Sequence, residues 1–349
     1  MAGYVYMGGF NSTGGNAMAA QWAEAQGVPA AGGFQSVYQY ANGWSAIQSL
    51  QVSIAQGMAG YPGPCCLNVA FTQSDGETNL SSALSGSSLT PGCQAAHAAT
   101  AVACLANDVQ FIRTAWEFNG GQNYNWMPPW GSYTAAEFRL LWQLIYDVYS
   151  SAAVAAGKPA DWFKFVYCLV QNDANGNADM ADFYPGMPFA PYITIDEYDR
   201  SGGGYTGWAE ALNDPPGLAA SVALALAQGA LGVGMPEWGI RNDAYGPSVI
   251  PDPSYIDDAF AWMKTVTAQG LNVLAWPWGQ GYSGNVDDIA GGAGSWNFAA
   301  WPTMWSALTS NVATGIAEGW IATSNTAGGA GGGGGGPAGQ GSPLMVGIV

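Results

Sequence analysis

FIRTAWEFNGGQNYNWMPPW, residues 111–130, opens as a buried β-strand and closes as something else. Val109, Phe111 and Ile112 form an apolar run that carries Arg113 and delivers Glu117 where Asn, Gly and aromatic residues take over. LGVGMPEWGI, residues 231–240, repeats the plan with Glu237 at the end of an apolar run, followed by Trp238 and Gly239. Strands that finish in a carboxylate ringed by tryptophan are expected where several strand ends converge on one site.

Outward from these two stretches the chain alternates strand and helix. Residues 4–10, 36–40, 66–72, 163–170, 192–198 and 271–276 read as further strands, and Leu231–Pro236 as the one that delivers Glu237. The helix after residue 130 has the clearest signature: Thr134 and Glu137 form a capping box, and Phe138, Leu141, Ile145, Val148 and Ala152 recur at helical spacing. Asp252 and Pro253 mark the start of a later helix that closes at Gly270. Eight strand–helix units predict an α/β fold, a (β/α)8 TIM barrel over residues 1–311 whose last helix lies around 298–308. A doubly wound sheet is the competitor, but no GxGxxG follows the first strand. Residues 312–349 form a C-terminal extension: VATGIAEGWIATSNT suggests a short strand or two, 327–341 are dominated by glycine, and PLMVGIV is apolar. The glycine tract buries too little to offset its conformational entropy and reads as a tether.

Composition narrows the function classes. Charged residues are 9% of the 349, against about 25% in ordinary globular proteins, while aromatics reach 13% with 16 Trp. Seven Lys and Arg against 24 Asp and Glu give a net charge of −17, which repels phosphate backbones and anionic lipid, so nucleic acid is excluded as a partner. A neutral, hydroxyl-rich polymer suits such a surface. The five cysteines are an odd number without metal-ligand spacing and read as buried apolar residues. His97 is the only histidine, which excludes His-clustered metal sites and argues against a Ser-His-Asp triad. No metal or other cofactor is implied. MAGYVYMGGF lacks a basic n-region, so no secretory signal is expected. The apolar run 218–235 divides better into helix and strand than into a membrane span.

Catalytic groups of a barrel sit at the carboxyl ends of its strands, where Glu117, Asp196, Tyr198, Glu237 and Trp276 fall in this reading. Glu117 and Glu237 supply the two carboxyl groups that glycosidic bond cleavage needs. Each alone reads as a solvated loop acid, but the shared aromatic escort favours a site. Strand alternation places Arg113 on the face of Glu117, pointing into the barrel, where it needs an anion such as Glu237 or Asp196. On the sixth strand Tyr192, Thr194, Asp196 and Tyr198 share one face, and Glu197 lies with Ile193 and Ile195 on the other. Trp276 and Trp278 share a rim where an indole forms a sugar platform. Trp126, Trp130 and Trp238 also flank the glutamates, although 16 tryptophans guarantee that several are core.

RTAWEFNGG, YNWMPPW, ITIDEYD, MPEWG and LAWPWG resemble the strand-end motifs of clan A glycoside hydrolases, most closely family 26, the β-mannanase family. The resemblance covers the fourth to eighth strands, about half the chain. It implies that Glu117 is the general acid/base and Glu237 the nucleophile of a retaining hydrolase. It also implies that Asp196 and Tyr198 support the nucleophile and that Trp276 stacks on the sugar, with Asn119 and Trp116 beside the acid/base. Trp116 stands where family 26 has His, which leaves the catalytic plan intact and the substrate open, mannan being the family's default. Two other readings remain: a barrel that binds glycan or builds a structure without turnover, and a metal-dependent enzyme using Asp196, Glu197 and Asp199. A polysaccharide-cleaving barrel without a signal peptide but with a glycine tether is expected on a phage tail, with Pro343–Val349 docking on a neighbouring tail protein, or else as a soluble enzyme that is cytoplasmic or leaves the cell by a non-classical route.

Overall fold

The computed structural model describes residues 5–7, 9–11, 33–35, 43–59, 65–73, 80–119, 134–170, 180–199, 207–240, 253–277 and 302–321. In chain order these are β1 (Val5–Met7), β2 (Gly9–Asn11), β3 (Gly33–Gln35), α1 (Trp44–Gly57), β4 (Cys66–Val69), a hairpin of β5 (Leu84–Ser85) and β6 (Ser88–Leu89), and α2 (Pro91–Ala106). Then follow β7 (Phe111–Thr114), α3 (Ala135–Ala155), β8 (Lys164–Val170), α4 (Met180–Phe183), β9 (Tyr192–Asp199), α5 (Trp208–Asn213), α6 (Leu218–Gln228), β10 (Gly232–Ile240), α7 (Pro253–Ala268), β11 (Asn272–Pro277) and α8 (Pro302–Glu318).

Every pairing in the main sheet is parallel, in the order β1-β11-β10-β9-β8-β7-β4-β3-β2. The two ends of that order are successive pieces of one run: residues 5–7 pair with β11 and residues 9–11 with β3. The first strand therefore joins the last strand to the second, and the sheet curls back on itself as a (β/α)8 barrel. Parallel strands covered by helices read as continuous apolar runs because both faces are buried; β4 and β7 are buried at every residue.

Two helices begin at a side-chain cap. Thr134 Oγ1 accepts from the Glu137 backbone N–H at 3.2 Å, and Glu137 Oε2 accepts from the Thr134 N–H at 2.7 Å, closing the capping box of α3. Thr90 caps α2, with Pro91 next to it. Phe138, Leu141, Trp142, Ile145 and Tyr149 of α3 turn inward. His97 is core: it lies between Trp44 and Tyr149, and burial pushes its pKa down to about 3, keeping it neutral. All five cysteines are free and buried.

The second strand is described at Gly33–Gln35, and the expected 36–40 lie outside the described residues. Two other expectations on the fold are corrected. The loop of 73–92 carries the short hairpin β5–β6. The last helix runs through residue 311 to Glu318, where a short strand or two were expected. Leu308 and Val312 are buried on its inner face. Asn311 Nδ2 donates to Asp257 Oδ1 at 2.6 Å and Lys264 Nζ pairs with Glu318 Oε2 at 2.6 Å, so α7 holds residues beyond 311 to the barrel. A Cβ at Gly315 would run into Ile321 Cδ1, so the glycine lets that side chain pack close as the chain folds back. The glycine-rich residues 327–341 and the apolar 343–349 lie outside the described residues. Among the described residues no helix is long and apolar enough to cross a membrane.

Candidate active site

The acid/base candidate is delivered by a turn. β7 ends at Thr114, and Ala115 and Glu117 adopt left-handed conformations with φ of 48° and 52°. Such backbone is costly for residues with a Cβ and persists only where neighbours hold it. Three contacts hold it here. The Glu117 N–H donates to the Cys168 carbonyl at 3.0 Å. Phe118 packs into the helix layer against Phe138, Phe183 and Tyr167, with ring centroids 4.7, 5.2 and 5.7 Å away. Asn119 clasps the end of β8 as a strand would: its Nδ2 donates to the Val170 carbonyl at 2.8 Å, and its Oδ1 accepts from the Val170 N–H at 2.9 Å. Alternation therefore does not run from Arg113 to Glu117, and the parity argument that linked them is corrected, although Arg113 faces inward on its own account.

The nucleophile candidate stays on its strand. Between Met235 and Trp238, β10 carries one residue more than β11 and one more than β9, a bulge that re-aims the side chains around it. Pro236, which has no N–H for the ladder, sits inside that bulge. Glu237 is 5% exposed, whereas Glu117 is half-buried. Trp238 is fully buried near Phe260 of α7 and is core rather than a sugar platform.

Arg113 joins the strands from within. From β7 its guanidinium crosses to β9 and β10, where Nη2 pairs with Asp196 Oδ2 and Nη1 with Glu237 Oε1 at 2.5 Å. Nη2 also donates to Cys168 Sγ on β8 at 3.2 Å. The Trp116 ring lies 5.8 Å from the Arg113 Cζ. At 1% exposure Trp116 supports Arg113 from beneath and offers no face to a sugar, a correction to its expected place beside the substrate. Burial by itself pulls the Arg113 pKa down, but Asp196, Cys168 and Glu237 together hold it well above its ordinary value. Burial pushes the Asp196 carboxyl up; Arg113 opposes this, and Glu237 and Glu117 add to it.

One carboxylate oxygen each from Glu117, Asp196 and Glu237 lies within 4.8 Å of the others. The acidic trio expected of a metal enzyme, Asp196, Glu197 and Asp199, is not the one assembled around Arg113, because Glu197 follows Asp196 on the strand and takes the opposite face. A divalent ion among the three assembled carboxylates would meet the guanidinium that already bridges two of them, so this donor set does not fit one. Tyr198 and Trp276 occupy the ends of β9 and β11. Their side chains, that of Asp199, and the whole of Trp126, Trp130 and Trp278 lie outside the described residues. Sequence reasoning passed over Cys168 and Phe118. Alternation along β8, which puts Val166, Cys168 and Val170 on one face, was the available signal for the first.

No family model matches the sequence, and no curated protein matches it. Solved structures do match the fold. The catalytic domain of the family 26 endo-β-1,4-mannanase of Bacillus sp. JAMB-750 superimposes with a TM-score of 0.55 at 16% identity, over 91% of this chain and 87% of that one. A modular endo-β-1,4-mannanase of Cellulomonas fimi gives 0.56 at 15%, over 91% and 71%. The mannanase man26 of Bacillus subtilis gives 0.50 at 16%, over 79% and 80%. The chain thus shares its (β/α)8 barrel fold with these structures.

Proposed function

We propose that the protein is a retaining glycoside hydrolase acting on a polysaccharide. The observation that carries this reading is the spacing of the carboxylates: oxygens of Glu117 and Glu237 approach within 4.8 Å. Retaining enzymes hold their two carboxyl groups at about 5–5.5 Å, whereas inverting ones leave about 6.5–9.5 Å for a water molecule.

In the first half of the reaction Glu237 Oε attacks the anomeric carbon as the glycosidic C–O bond breaks, and Glu117 gives its proton to the leaving oxygen. The sugar is then an ester of Glu237. In the second half Glu117 takes a proton from a water molecule that attacks the same carbon, and Glu237 leaves as a carboxylate. Arg113 fits this cycle because its charge stands beside Glu237 whenever that group is ionised, and it keeps Asp196 as a partner when Glu237 is esterified. The buried Arg113 gives the site preorganised electrostatics in a place from which water is excluded.

The substrate class follows from the uncharged, aromatic-rich composition and from the names of the structural neighbours, which are β-1,4-mannanases. β-Mannan is the first polysaccharide to try, followed by other neutral envelope glycans.

The reading is tested with an activated 2-deoxy-2-fluoro glycoside. Wild type is expected to gain one covalent sugar, mapped to Glu237. Glu237→Ala is expected to gain none, with turnover lowered by roughly 10⁴-fold or more. Glu117→Ala forms the adduct from a substrate with a good leaving group, stalls, and is released by azide. A wild type that binds mannan but neither turns over nor labels would instead mark a glycan-binding barrel.

A further inference from the structure

Arg113 holds an arrangement that a guanidinium does not choose unaided. Beside a single carboxylate, arginine pairs through two parallel N–H···O bonds, a fork matched to the two oxygens. Asp196, already bonded to Nη2, is placed to take that fork, and Glu237 would then lose its counter-charge. In the structure the guanidinium is instead divided, with Nη2 on Asp196 and Nη1 on Glu237.

Cys168 stands where the choice is made. Its Sγ accepts from Nη2 at 3.2 Å, so both N–H groups of Nη2 are engaged, one by Asp196 and one by the thiol. The thiol gives its own S–H to the Leu169 carbonyl at 3.5 Å, and burial pushes its pKa well up, so the sulfur meets Nη2 as an acceptor. With Nη2 taken by Asp196 and the sulfur, the guanidinium plane is held and Nη1 is left for Glu237. The same residue reaches the other half of the site through its backbone, since the Cys168 carbonyl holds the Glu117 N–H at 3.0 Å.

We propose that Cys168 is a positioning residue that keeps Arg113 divided between Asp196 and Glu237, and so sets the charge beside the nucleophile. The consequence for catalysis rests on the glycosidase reading above; the hold on Arg113 does not.

Two full-length variants separate hydrogen bonding from packing. Cys168→Ser keeps a donor and an acceptor but loses volume, and Cys168→Val keeps an apolar side chain, somewhat larger, but loses both. Positioning predicts that Ser retains most of the rate of covalent labelling. Val is expected to lose about 10²-fold, the scale of a misplacement near 1 Å, with KM little changed. Val equal to or better than Ser would overturn the proposal in favour of simple packing. If Val does not fold, Cys168→Ala takes its place against Ser. Crystal structures of the variants give an answer independent of turnover. Arg113 forked onto Asp196 in the Val or Ala variant supports the proposal, and an unchanged division sinks it. This holds even if wild type cleaves no glycoside and the functional reading fails.

Discussion

Glu237 stays on its strand and is turned by one extra residue in β10, whereas Glu117 has left its strand and is turned by two left-handed residues after β7. The two strand ends differ in what holds them. Around Glu237 the hold is charge, an arginine buried between two carboxylates. Around Glu117 it is main-chain hydrogen bonding and aromatic packing, through Cys168, Val170 and the Phe118 cluster. The difference suits the two proposed tasks. A nucleophile must be ionised when it attacks and gains from a fixed cation, while an acid/base must pass a proton both ways and gains from a fixed position without one.

Arg113→Met cuts the charge-held end and carries the largest expected effect. It leaves Asp196 and Glu237 buried without their cation, a loss on the order of 3–5 kcal/mol in stability, read as a lowered denaturant midpoint. Surviving folded protein should behave as a weak form of Glu237→Ala, with slow labelling for every leaving group. Thr114→Val, one residue along and on the opposite face, should change neither reading. Equal damage from both changes would mean that Arg113 matters only as filling.

Asn119→Ala cuts the position-held end. Loss of the clasp unpairs a buried N–H and C=O at Val170, and about 1–3 kcal/mol of stability goes with it. This variant should resemble Glu117→Ala: activated aryl glycosides, which need little protonation, keep most of their rate, and unactivated polysaccharide loses it. If Asn119→Ala instead slows labelling uniformly, as Arg113→Met does, the two ends are not separate devices.

What could be read in advance follows the same division. On β9 the alternation of Thr194 and Asp196 against Ile195 and Glu197 was legible because a regular strand has a period of two. The demand of an inward Arg113 for Asp196 or Glu237 was legible because a buried charge must be paired. The turn at 115–117 was not, since neither Ala nor Glu is a residue that announces a positive φ. The clasp of Asn119 and the thiol of Cys168 were hidden for another reason: each acts across a gap of about fifty residues that only the barrel closes. Trp116 was expected beside the substrate because the resemblance puts a sugar-holding residue just before the acid/base, and only its 1% exposure decides against that place.

The smallest expected effect tests the turn itself, through the same substitution made at both ends. Ala275, opposite Met235 where the β10 bulge begins, and Ala115, at the turn of Glu117, are both buried. In an ordinary strand, Ala→Gly loses a buried methyl, about 0.8 kcal/mol, and adds roughly 0.5–1 kcal/mol of chain entropy. Ala275→Gly is therefore expected to cost about 1–2 kcal/mol. At Ala115 those costs meet the relief of a left-handed φ of 48°, worth roughly 1–2 kcal/mol for a residue with a Cβ. The two contributions cancel, and Ala115→Gly should leave the urea midpoint nearly unmoved. A cost at Ala115 equal to that at Ala275 would mean that the turn carries no backbone strain, and that Glu117 is held by its neighbours against nothing.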